Sequence, residues 1–66
     1  LHIPSSLPFR VEIWNRDRTR LEETIAAASS LPVAIGAYEA ACRARPKDRV
    51  LLCNMAQIIR DSRESW

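Results

Sequence analysis

The chain has one glycine, one histidine, one methionine and one lysine among its 66 residues. A lone glycine, Gly36, excludes a glycine-rich phosphate loop, which needs several. A lone histidine, His2, excludes a conventional Ser–His–Asp set. It lies in a stretch with Pro4, Pro8 and no periodicity, whereas a general base must be held against its nucleophile. Cys42 and Cys53 are eleven residues apart, and with one distant histidine they make no zinc pattern. No run approaches the ~18 apolar residues of a membrane span. "LHIPSSLPF" has neither a charged n-region nor the apolar core of a signal peptide. These absences predict no membrane partner and a cytoplasmic location. Both cysteines are then expected as free thiols, acting as small apolar groups in a reducing compartment.

What is present fits a small globular domain. The hydrophobic fraction of 47% argues against disorder. Net charge is +2, which permits nucleic-acid contact without demanding it. Nine of the ten basic residues are arginine, the side chain that forks onto phosphates and carboxylates. A chain this short buries only about 60% of its unfolded surface. Its core supplies no more than about 3–5 kcal/mol of net stability unless a disulfide, a metal or a partner chain adds more.

Residues 1–7 read as a loose N-terminal tail, 8–62 as a single small domain and 63–66 as a C-terminal tail. In "PFRVEIWN", Phe9, Val11 and Ile13 alternate with Arg10, Glu12 and Trp14, the period of a half-buried strand. A polar turn follows at 15–19. In "RLEETIAAASS", Leu21, Thr24, Ile25 and Ala28 have helical spacing. The first strand needs a partner for its backbone, however, which favours a second strand over about 20–27. "SLPVAIGAYEAACRARP" predicts a helix. Ser30 can cap it, Pro32 fits its first turn and Pro46 ends it. Its apolar stripe is Leu31, Ala34, Ile35, Tyr38, Ala41 and Cys42, with Tyr38 and Ala41 as core positions. Glu39 and Arg43 are spaced to pair on the outer face. Over 49–62, two aliphatic runs flank "CNMAQ" and read as a second hairpin, although Leu52, Met55, Ala56 and Ile59 also fit a helical face. The resulting fold is α+β: ββαββ, a four-stranded antiparallel sheet with one helix on one face. The alternative is all-α, like a helix-turn-helix repeat.

Two resemblances bear on that choice. "AIGAYEAACRARP" resembles the second helix of a tetratricopeptide repeat, through Ala34, Tyr38, Ala41 and Pro46. Such solenoids need about three repeats, and this chain offers about one and a half. Glu22 stands where that family has a small residue and Arg18 where it has an aromatic, and "FRVEIW" has no place in such a repeat. Over nearly its whole length the chain is similar to a group of small uncharacterised bacterial proteins, mainly rhizobial-type. These carry a "VEVW" segment, a helix of "A..AFEAA" type ending at Pro, and a "GARVIRDS"-like ending. A glycine often stands there at the position of Met55, which implies a tight hairpin turn over 49–62. That resemblance implies no activity.

The residues point to no catalytic, cofactor-binding or metal-binding site, and imply no small-molecule substrate. Glu22 and Glu23 are adjacent and would diverge in a strand, whereas acid–base pairs share a cleft. The expected function is therefore that of a small non-enzymatic interaction or regulatory protein acting by protein–protein association, as a homodimer or with another protein. The outer strands of a four-stranded sheet leave open backbone, and Trp14 is expected close to such an edge. The alternative is a nucleic-acid-binding module using an Arg-rich hairpin tip. Trp14, Arg16, Arg18 and Arg20 form the candidate interaction surface for both.

Overall fold

A computed structural model describes residues 7–64. The expectations for residues 1–6 and 65–66 lie outside the described residues. Strands β1 (Phe9–Trp14) and β2 (Leu21–Ala28) precede helix α1 (Leu31–Ala44), and β3 (Arg49–Asn54) and β4 (Gln57–Asp61) follow it. The four strands form one antiparallel sheet in the order β2-β1-β3-β4. This is the ββαββ arrangement of the α+β class; the all-helical alternative is excluded.

Alternation along β1 divides the sheet into two faces. Val11 and Ile13 stand opposite Leu52 and Val50, and all four are buried under α1 with Ala28, Ala34, Tyr38 and Ala41. Alanines on the helix let it approach closely: Ala34 is 1% exposed. The Ser30 side chain accepts from the Val33 N–H, satisfying a donor that the first turn leaves free. At the other end, Arg45 leaves the helical conformation before Pro46, and its N–H donates to the Ala41 carbonyl, as the ring of a following proline requires. Glu39 and Arg43, both exposed, make no ion pair with each other.

The central strands β1 and β3 pair without interruption. Both outer strands are bulged. Ile25 and Glu22 are extra residues in β2 against β1, and Ile59 is extra in β4 against β3. Bulges twist an edge away from flat pairing with a second sheet. Trp14 ends an inner strand, between β2 and β3, so it is not on a sheet edge as the sequence suggested. Among the described residues, no helix is long and apolar enough to cross a membrane.

Candidate functional site

Among the described residues, no helix lies on the second face of the sheet. Glu12 lies opposite Leu51, Arg10 opposite Cys53 and Trp14 opposite Arg49. On the far side of β3, Asp61 pairs with Leu51 and Ile58 with Cys53. Glu12, Leu51, Cys53 and Asp61 are all buried, which gives this face two buried carboxylates. Each is satisfied by partners on the same face.

Glu12 is 9% exposed. Its Oε1 accepts from the Trp14 indole N–H at 3.0 Å and from the Cys53 thiol at 3.5 Å. Burial, then the charge and hydrogen bond of Glu12, push the Cys53 thiol up to about 12. It is thus a neutral donor at ordinary pH and a poor nucleophile. Cys42 is also a free thiol, half-buried against the core.

Asp61 forms the second centre. Its side chain is 2% exposed. It accepts from Nε and Nη2 of Arg49, from Nη1 of Arg18 and from the Arg63 N–H. Burial raises its pKa, but the hydrogen bonds of Arg49 and Arg63 outweigh that and hold the carboxyl below its ordinary value. Arg18 reaches Asp61 from a turn organised by Asn15. The Oδ1 of Asn15 accepts from the N–H groups of Thr19 and Arg20 at 2.8 and 3.0 Å. Arg18 itself has φ 57°, a left-handed conformation uncommon for a residue of its size. Arg49 also donates to the Arg16 carbonyl at 2.8 Å, fastening the same turn to β3.

The four residues of the expected interaction surface therefore separate. Arg18 is engaged by Asp61 and Glu64, and Arg20 by Glu22 at 3.3 Å. Arg16 makes no ion pair among the described residues. Trp14 borders two cavities. One, of about 410 Å³, lies on the helix-free face against Glu12, Leu51 and Cys53, with Met55 and Ile58 at its rim. The other, of about 450 Å³, opens at the end of the sheet where the turn after β1 meets the loop before β3. Four cations, Arg16, Lys47, Arg49 and Arg63, face two carboxylates there, Glu22 and Asp48. Nothing in the local sequence pairs position 16 with 47 or 63; only the sheet order brings them together.

Met55 was also not singled out as a surface residue by the sequence. It lies at the tip of the β3–β4 turn with φ 55° and is 78% exposed. Among the described residues, no group of three or more His, Cys, Asp or Glu side chains could hold a metal ion. Compared with family models, with curated proteins and with solved structures, the chain matches none.

Proposed function

We propose that this is a small non-enzymatic interaction protein that works as a self-associated pair, joined through the helix-free face of the sheet. The observation that carries the reading is Met55. A left-handed backbone at an exposed turn favours glycine or asparagine, and a non-glycine residue held there costs about 1–2 kcal/mol. A large apolar side chain at that point gains nothing in its own fold, since it stands 78% exposed.

A second copy is the occupant that fits. The same patch offers an apolar projection, Met55, which itself forms part of the wall of a cavity lined also by Trp14, Leu51 and Ile58, with Glu12 and Arg18 as its charged members. A projection and a recess on one surface are self-complementary under a two-fold axis, so one copy's Met55 enters the other copy's cavity and the reverse. Methionine suits this because its unbranched thioether fills irregular gaps. The bulges of β2 and β4 count against edge-to-edge pairing, which shifts association from the edges to the face. The thin core of a 66-residue chain supplies the energetic motive. The neutral, buried Cys53 thiol supports a non-enzymatic reading.

Thermal unfolding across a wide protein concentration range tests this proposal. Association linked to folding makes the midpoint rise with concentration. A midpoint independent of concentration would remove the proposal.

A further inference from the structure

We infer that the cleft at the end of the sheet binds a nucleotide unit, a phosphate beside a planar base, as a free nucleotide or as part of a single strand of nucleic acid. The argument starts from how the charges around it are distributed. Glu22 is paired to Arg20 and Asp48 to Arg45, at 3.3 and 2.7 Å, and neither arginine lines the cleft. Arg49 faces the cleft but is committed to Asp61. Asp17 acts on Arg49 through space without forming part of the wall. Among the described residues, the cleft's cations left without a carboxylate are Arg16, Lys47 and Arg63.

Arg63 is fixed in place although it makes no ion pair among the described residues. Its Nη2 donates to the carbonyls of Lys47 and Pro46, so it holds the loop before β3 and keeps its charge. Arg16 is fixed through its backbone, whose carbonyl accepts from Arg49. Three cations brought together from three segments, the turn after β1, the loop before β3 and the residues after β4, make a focused positive field, which attracts an anion. Arginine adds planar, forked recognition of phosphate oxygens.

Trp14 supplies the other half of the ligand. Its indole N–H is satisfied by Glu12, which fixes the ring where it borders the cleft. Bases stack on such rings without sequence preference. The volume, about 450 Å³, falls in the range of about 300–1,000 Å³ found for small-ligand sites. The site differs from a hairpin tip of Arg16, Arg18 and Arg20. It keeps Arg16 and Trp14 and replaces the two engaged arginines by Lys47 and Arg63.

Fluorescence of Trp14 tests the inference in a Trp66→Phe, Met55→Asn background, where self-association does not contribute to the signal. The titrants are uridine monophosphate, a uridine oligonucleotide and inorganic phosphate. The nucleotide and the oligonucleotide should both quench Trp14, and more tightly than phosphate alone. An oligonucleotide affinity at least tenfold above the mononucleotide assigns the site to a strand, and comparable affinities assign it to a free nucleotide. For a strand, affinity should fall with salt with a log–log slope of about −2, as three neutralised phosphates give on single strands. Arg16→Ala with Lys47→Ala should weaken binding about tenfold or more, and Arg43→Ala, at an exposed helix position that does not line the cleft, should leave it unchanged. Phosphate binding as well as the nucleotide, no binding of either nucleotide form, or a double variant that binds normally would each overturn the inference.

Discussion

Arg49 lays its guanidinium along the carboxylate of Asp61, with Nη2 to Oδ2 at 2.7 Å and Nε to Oδ1 at 3.1 Å. The pair joins the first residue of β3 to the last of β4, and Arg18 adds the β1–β2 turn at 3.2 Å. Three chain segments therefore meet on one carboxylate. Replacing it leaves a half-buried guanidinium without its partner. Asp61→Asn should cost roughly 3 kcal/mol, near the lower end for breaking a buried pair. Chemical denaturation of the two proteins at neutral pH measures this. A loss below 0.5 kcal/mol, as at ordinary surface sites, would mean that water replaces the carboxylate.

The same carboxyl predicts the acid limb of stability. Its folded value lies below the ordinary 3.8, so the unfolded chain takes up the proton first. Its contribution is complete above about 3.8 and is lost as pH falls through the lower folded value. Denaturation midpoints across the acid range should fall more steeply for the wild type than for Asp61→Asn.

The alkaline limb runs the other way. Burial and Glu12 push Cys53 up to about 12, and burial and the Cys42 hydrogen bond raise Tyr38 to about 12. The unfolded thiol ionises near 9 and the unfolded phenol near 10. Rising pH from about 9 to about 12 should therefore destabilise the fold. Cys53→Ala should flatten part of that slope, and native Cys53 should label slowly with a maleimide at neutral pH.

Helix α1 gives two further expectations. Tyr38→Ala should cost about 3 kcal/mol, since it removes a buried ring. Gly36 has open space where a Cβ would stand. Gly36→Ala should therefore gain about 0.5–1 kcal/mol by restricting the unfolded chain. Denaturant midpoints of the two variants should move in opposite directions.

Much of the fold was legible because some segments face one environment on each side. β1 alternates cleanly, with α1 over Val11 and Ile13 and the open face beside Glu12 and Trp14. α1 carries a cap, a stop and a single stripe. β2 was ambiguous for a physical reason. Its bulge at Ile25 lets the adjacent Ile25 and Ala26 both pack against the core, which breaks the two-residue period. β3 buries Val50, Leu51, Leu52 and Cys53 alike, so a strand filled on both faces reads as an apolar run. The site residues were less legible. Arg18 and Asp61 meet across 43 positions, and no local spacing signals that contact. Glu12 sat in the polar half of an alternating strand, which gave no sign of its burial.

Self-association through Met55 is the central claim, and sedimentation equilibrium of the wild type and Met55→Asn tests it most directly. Asparagine tolerates the left-handed turn better than methionine, so the variant should fold at least as stably while losing the projection. The account predicts that the wild type passes from one chain to two between low micromolar and hundreds of micromolar, whereas Met55→Asn remains a single chain throughout. A wild type that stays single at hundreds of micromolar, or a variant that pairs as well as the wild type, would contradict it.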